Sequence, residues 1–302
     1  MERRIVLSTE VLDDFVTLFR GRGDAYGSWQ GGCVRQPLDR ETFNRHLHGE
    51  ELIGVYPLVP INGIWSCVWG CSDIDVDDID AARNLQLAFF VKNIIAHIEK
   101  TMKGYHIWVF AHEPVPAMTM RRAFLAAHQA INYPAKEVNP KQENPGSGFG
   151  NYVRLPYPSE LKSPSDVRFM LDEDGHPIPL SKWIVGAMEN RTHRNRLEEI
   201  ASLYVPPTIR SVHVDEPHTD IKGFLEKLDG LTFVMWRDGP YPGADRSTTL
   251  YRLAHRMANS SLTPTEAFSV LKNADARWGK FHLRSDGDHE LLKMIERAYG
   301  TR

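Results

Sequence analysis

The 302-residue sequence has no run approaching eighteen apolar residues, so no membrane-spanning helix is expected. It has only three cysteines, Cys33, Cys67 and Cys71, too few and too odd in number for a disulfide framework, which agrees with a reducing compartment. Those three with a histidine would make a loose zinc set at most. Cys67 and Cys71 sit on an expected strand rather than in the tight turn of a zinc knuckle, so buried thiols are expected and zinc is not. Positive charge is not in excess: 36 Lys and Arg face 39 Asp and Glu, a net charge of −3. That excludes a chain coated with cations for non-specific duplex binding but leaves room for a local basic groove. No Gly-Lys-Ser/Thr phosphate loop occurs, which excludes an ATP-driven motor. Gly146, Gly148 and Gly150 precede an expected strand rather than a helix, which argues against a dinucleotide fingerprint. No cleavage pattern follows Met1-Glu-Arg-Arg, and a cytoplasmic protein is expected.

What is present is the composition of an ordinary globular protein, 42% apolar and 25% charged. Periodicity predicts a helix over residues 11–19 and a glycine-rich basic turn at Arg20-Gly-Arg-Gly-Asp-Ala-Tyr-Gly. A second helix follows from Asp39 or Thr42 to Gly49. Residues 54–59 and 64–75 read as strands joined by the Asn62-Gly63 hairpin turn. Apolar residues near helical spacing predict one helix over 81–102, stopping at Gly104. Tyr105 to Phe110 reads as a strand closed by Pro114 and Pro116, then a helix over 118–131. Residues 137–158 read as a polar loop with a short strand at 152–155, 169–178 as a hairpin, and 180–201 as one helix. Within that helix Arg191-Thr-His-Arg-Asn-Arg reads as a solvated face rather than a nucleic-acid site. A proline-rich, aperiodic stretch from Val205 to Pro217 marks a boundary, after which four helices are expected over 221–228, 246–259, 263–273 and 289–299. Thr263-Pro-Thr-Glu266 supplies a capping box for the third. The sequence stops directly after a helix, as a piece of a longer protein would.

Three segments carry candidate chemistry. From Asp73 to Asp80 five of eight residues are aspartate. Residues two apart on a strand share a face, so Asp73 and Asp75 can share a pair of divalent cations, as phosphoryl transfer needs. The register leaves open Asp75 with Asp77 instead, and the plain alternative is a solvated acidic turn favoured by the following helix dipole. In Lys103-Gly-Tyr-His-Ile-Trp-Val-Phe, His106 shares strand parity with Trp108 and Phe110. If this strand pairs with the acidic one, His106 projects beside the carboxylates, where an imidazole can meet a triphosphate. Lys103 would add a point charge there or remain a solvated surface lysine. The third segment, residues 136–156, holds Glu137 as another carboxylate, Lys141 and Arg154 as cations, and glycines that allow close backbone approach to a ligand.

At these places the chain resembles the primase-polymerases of the archaeo-eukaryotic primase superfamily. Asp73-Ile-Asp75 is similar to the first metal motif, and Gly104-Tyr-His106-Ile-Trp-Val-Phe to the second, where a small residue and a histidine serve the nucleotide. Glu137-Val-Asn-Pro-Lys-Gln142, running on through Gly148-Phe-Gly-Asn151 to Leu155-Pro156, resembles a form of the third motif found in phage, plasmid and conflict-system members. Phe19-Arg-Gly-Arg-Gly-Asp-Ala-Tyr26, His46-Leu-His-Gly with Gly54-Val-Tyr-Pro, and residues 169–183 extend the likeness over roughly residues 15–185.

The resemblance implies an α/β (α+β) catalytic core of two modules with an RNA-recognition-like antiparallel sheet, followed by a small all-α domain. The corresponding boundaries are 1–205 for the core, 206–220 for a linker and 221–302 for the helical domain. It implies template-directed nucleotidyl transfer on single-stranded DNA in phage or plasmid replication. Asp73, Asp75 and Glu137 would hold Mg2+ or Mn2+, with His106 as the fourth catalytic residue. Lys103, His106, Lys141, Gln142, Asn151 and Arg154 would serve the nucleoside triphosphate. A replicative helicase would be a partner, in cis or in trans. Asp245-Arg-Ser-Thr-Thr-Leu and Trp278-Gly-Lys-Phe resemble segments of primase-associated helical domains, where Arg246, Trp278 and Lys280 would engage nucleic acid or simply pack helices. A metal-dependent nuclease and a non-catalytic replication-initiation or single-strand-binding module are the competing readings.

Overall fold

The structure is a computed structural model that describes residues 9–146, 148–160, 168–207 and 212–300. The chain forms two compact units, Met1–Val205 and Pro206–Arg302, each with its own apolar core. Part of the stretch expected as a linker, residues 208–211, lies outside the described residues.

The first unit runs α1 (Thr9–Phe19), β1 (Tyr26–Ser28), β2 (Cys33–Val34), α2 (Arg40–Leu47), β3 (Ile53–Val55), β4 (Val59–Ile61), β5 (Ile64–Ile74), α3 (Ile79–Phe90), β6 (Ala96–Lys100), β7 (Tyr105–Pro116), α4 (Ala117–Ala130), β8 (Glu137–Asn139), β9 (Val153–Arg154), β10 (Phe169–Leu171), β11 (Pro177–Ile178), α5 (Leu180–Glu189) and α6 (Arg194–Ala201). Its larger sheet is antiparallel in the order β11-β10-β6-β7-β5-β4, and β8 pairs with the end of β5. A smaller antiparallel sheet runs β2-β1-β3-β9.

Period-two burial on the central strands decides what packs where. Tyr105, Ile107, Val109 and Ala111 of β7 join Leu85, Phe89, Met120, Phe124 and Leu197 from α3, α4 and α6 in one core. The alternate residues Trp108 and Phe110, with Trp69 and Cys71 of β5, face α1, α5 and the smaller sheet in the other. Phe19 meets Trp108 and Phe110 edge-to-face, each at 5.2 Å between ring centres. The second face is therefore aromatic along its length until it reaches Asp73 and His106 at its end.

The β4–β5 hairpin turns on Asn62 and Gly63 at φ 51° and 78°, as the dipeptide predicts. Asp39 and Asp78 accept hydrogen bonds from the first-turn amides of α2 and α3.

Several expected boundaries are corrected. The single helix over 81–102 is α3 followed by β6. Asn93 takes a left-handed backbone at φ 55°, and Ile98 lies in β6, whose alternate residues His97 and Glu99 face the opposite side. The expected strand over 54–59 divides between β3 and β4 in different sheets. Pro114 and Pro116 do not close β7, which continues to Pro116 past a register shift opposite Cys67 and Trp69. The expected helix over 180–201 breaks into α5 and α6 around a parallel bridge from Thr192 to Ala111. Residues 137–139, expected in a polar loop, form β8 with Val138 and Asn139 buried. Cys67 and Cys71 are buried as expected, but Cys33 is exposed.

The second unit is helical: α7 (Lys222–Leu225), α8 (Gly230–Asp238), α9 (Arg246–Ala258), α10 (Pro264–Trp278) and α11 (Gly287–Gly300). Leu250, Leu253, Phe268, Leu271, Leu291 and Ile295 form its core. The capping box at Thr263 and Glu266 is present, and Gly279 ends α10 in the left-handed conformation. Helix α8 was not expected. Arg246 donates to the carbonyls of Trp278 and Gly279, both at 2.9 Å, and so serves the α10 terminus. Among the described residues no helix is long and apolar enough to cross a membrane.

Candidate active site

The residues that end β5 and begin β7 and β8 meet because of strand register. Asp73 lies directly opposite His106 on one side and Glu137 on the other. In an antiparallel sheet such partners put their side chains on the same face about 5 Å apart. Arg121 on α4 donates to the carbonyls of Val138 at 2.9 Å and Pro140 at 3.1 Å, which fixes the chain just after Glu137.

These three residues and Asp75 line a cleft of about 750 Å³ between the ends of the two sheets. Asp77 points elsewhere: it pairs with Lys100 and accepts a hydrogen bond from Tyr105 at 2.8 Å. Asp78 caps α3.

Burial pushes the Asp73 carboxyl above its ordinary range, and repulsion from Asp75 and Glu137 adds to that against the pull of His106. Glu137 is paired with Lys141 at 2.7 Å. An all-oxygen donor set in which carboxylates repel one another suits a hard divalent cation, so the residues present fit magnesium or manganese.

His106 Nε2 lies 3.8 Å from Asp73 Oδ1, and its Nδ1 lies 3.0 Å from Glu99 Oε2. Glu99 is wholly buried, receives the Trp108 indole N–H at 2.6 Å, and faces Arg168 Nη2 at 2.8 Å. Burial alone would raise the Glu99 carboxyl, but the Arg168 guanidinium and His106 bring it below its usual range. Nδ1 is held between Glu99 Oε2 at 3.0 Å and Arg168 Nη2 at 3.2 Å, which fixes the ring with Nε2 toward the cleft. Arg168 is itself only 6% exposed, donates to the Arg154 carbonyl at 2.7 Å, and takes a left-handed backbone at φ 68°.

The opposite wall comes from the smaller sheet and the loop before it. Trp29, Tyr56, Tyr152 and Arg154 line it, together with Cys33 and Asn151. The Arg154 and Arg168 guanidinium carbons lie 5.6 and 5.4 Å from the Trp29 ring centre. Tyr152 lies over Gly27 and Gly54, where a Cβ would fall 2.2 and 2.5 Å from its ring atoms. Lys103 lines the rim on the β6–β7 turn. Gln142 does not line the cleft but donates to Asn151 at 2.7 Å, holding it in place.

The candidate residues Asp73, Asp75, Glu137, His106, Lys103, Asn151 and Arg154 thus line one cleft, with Lys141 and Gln142 one contact behind. Sequence reasoning missed Glu99, Arg168 and Trp29. Glu99 was hidden inside a misassigned helix. Arg168 stands one residue before the hairpin strand β10, and its partner Glu99 is too distant in the chain for the sequence to join them.

No curated protein matches the chain. Among solved structures, the crystal structure of primase RepB' aligns over 96% of this chain and 94% of that chain, at 10% identity with a TM-score of 0.31. A family model described as the Archaeo-Eukaryotic Primase domain of the TOTE conflict system matches residues 32–199, more than half of the chain and the whole of β5, β7 and β8. With Asp73, Asp75, His106 and Glu137 all inside that span, the chain belongs to the archaeo-eukaryotic primase domain family of TOTE conflict systems.

Proposed function

We propose that the chain carries out template-directed nucleotidyl transfer on single-stranded DNA, making or extending primers. The observation that carries the reading is the register of Asp73 between His106 and Glu137, which gathers acid and imidazole in a cleft also lined by Lys103, Arg154, Arg168, Trp29, Tyr56 and Tyr152.

Asp73, Asp75 and Glu137 hold Mg2+ or Mn2+, which when bound neutralises triphosphate charge and lowers the pKa of the attacking hydroxyl. His106 presents Nε2 to a phosphate oxygen, its ring fixed by Glu99. Lys103 on the rim and Lys141 beside Glu137 meet the remaining phosphate charge once the carboxylates are engaged. Arg154 contacts phosphate from the opposite wall, while Gln142 orients Asn151 toward the nucleotide. Trp29 and Tyr152 offer flat faces on which a base stacks without sequence preference. The in-line displacement releases pyrophosphate, and the side chains contribute positioning and charge rather than a covalent intermediate. The setting is replication or conflict-associated synthesis in the cytoplasm, with a helicase supplying single strands in cis or in trans.

The test supplies purified protein with labelled single-stranded DNA, nucleotides and magnesium or manganese. Products longer than the input, lost in Asp75→Asn, are expected. Shortened DNA without nucleotides and no extension with them would identify a nuclease. Metal-independent binding with no incorporation from any nucleotide mixture would identify a passive single-strand-binding module.

A further inference from the structure

Strand β7 leaves the cleft at His106 and, six residues further on, reaches a second group of metal-ligating side chains. At ~3.3 Å per residue, His112 stands roughly 20 Å from His106 along the strand. The parallel bridge of Ala111 with Thr192 brings the α5–α6 connection alongside. His112 N donates to Thr192 O at 2.9 Å, and Thr192 N donates to Phe110 O at 2.8 Å. His193, the residue before α6, therefore lies beside His112, with 4.9 Å between ring centres.

Glu113 completes the group. Its Oε1 accepts the Arg194 backbone N–H at 2.8 Å, which orients the carboxylate from behind. Its Oε2 faces His112 Nδ1 at 3.4 Å and His193 Nδ1 at 3.5 Å. Ligand atoms of all three residues lie within 4.8 Å of one another.

The two separations are too long for charge-assisted hydrogen bonds, which close to about 2.7–2.9 Å. They equal the edge of a metal-centred tetrahedron: bonds of about 2.0–2.1 Å to nitrogen and oxygen put neighbouring ligand atoms about 3.4 Å apart. Two imidazoles and one carboxylate select zinc and its late first-row neighbours over magnesium. A ligand carboxylate held from behind by a backbone amide is the support that metal ligands require.

We propose that His112, Glu113 and His193 form a zinc-class metal site, separate from the cleft, with three protein ligands and a water in the fourth position. It clasps the start of α6 to the end of β7. The three side chains are 40 to 69% exposed, which leaves the site open to metal from solvent. The zinc excluded for the cysteines thus finds a nitrogen and oxygen site that sequence order did not reveal, because His193 is some eighty residues from its partners.

The test uses the full chain without an affinity tag, carrying Asp73→Asn and Asp75→Asn to silence the cleft, in millimolar magnesium. Titration with cobalt(II) is expected to give a saturable visible absorption band at one equivalent, displaced by zinc. Zinc should also raise the unfolding temperature. His112→Gln with His193→Gln, both surface changes that retain the native circular dichroism, should weaken cobalt binding by at least about 10-fold and abolish the zinc shift. Absence of the band, or a band and a zinc shift unchanged in the double variant, would overturn the proposal.

Discussion

Glu99 and Arg168 show at the scale of single residues how the cleft is held. Each neutralises the other inside the protein, and Glu99 also takes bonds from His106 and Trp108. Removing one partner leaves a buried charge uncompensated, which costs about 3 kcal/mol or more. Glu99→Gln should therefore lower stability in urea by that order, and adding Arg168→Met should recover part of the loss. Incorporation should fall by about 10–100-fold in Glu99→Gln because the His106 ring loses its orientation. A single variant with wild-type stability would show that the pair is not the support described. At this scale the sequence was legible where chemistry clusters in the chain, as in the aspartates from Asp73 to Asp80. It was opaque for Glu99 and Arg168, whose roles depend on partners sixty-nine positions apart that only the sheet brings together.

At the scale of elements, the cleft depends on close backbone approach between β5 and the β6–β7 turn. A Cβ at Gly104 would lie 1.9 Å from the Ile74 carbonyl oxygen and 2.6 Å from that of Val76. Backbone atoms cannot move aside as the end of a side chain can, so Gly104→Ala should cost about 1–3 kcal/mol and displace Asp75. Thermal unfolding and incorporation should both report it, and an alanine variant indistinguishable from wild type would refute the close approach. The sequence offered Gly104 as a helix stop and as the small residue of the second motif; the helix stop was wrong, and the residue lets the turn approach the backbone at Ile74 and Val76. The error over residues 81–102 has the same origin. Apolar residues at Ile94 and Ile98 fit a helical stripe and a strand equally, and the tie is broken only by the pairing of residues 96–100 with β7 and β10. By contrast, the Asn62-Gly63 turn and the Thr263 capping box were legible because their physics is local.

At the scale of the whole molecule, burial keeps His46, His97 and His128 of the first unit toward the neutral form, the first two most strongly. Burial pulls His46 and His97 down to about 4. Nδ1 of His46 accepts the Ile53 N–H, and Nδ1 of His97 accepts the Trp183 indole N–H, so protonation breaks a bond at each. The unfolded chain binds protons on these residues near pH 6.5, where the folded one does not, so stability is complete above about pH 6.5 and falls as pH drops toward 4. The loss is on the order of 3 kcal/mol per imidazole. Urea denaturation between pH 7 and 4.5 should show it, with a shallower slope in His97→Asn. A first unit whose stability is flat across that range would contradict the assignment.

The central claim is that Asp73, Asp75 and Glu137 converge on the same cations in the cleft. The most direct measurement is manganese binding by electron paramagnetic resonance in the presence of a nucleoside triphosphate, comparing the protein with Asp73→Asn and Glu137→Gln. The account predicts tight, nucleotide-dependent manganese binding that both substitutions weaken strongly while circular dichroism stays native. Manganese and nucleotide bound equally well by all three proteins would contradict it.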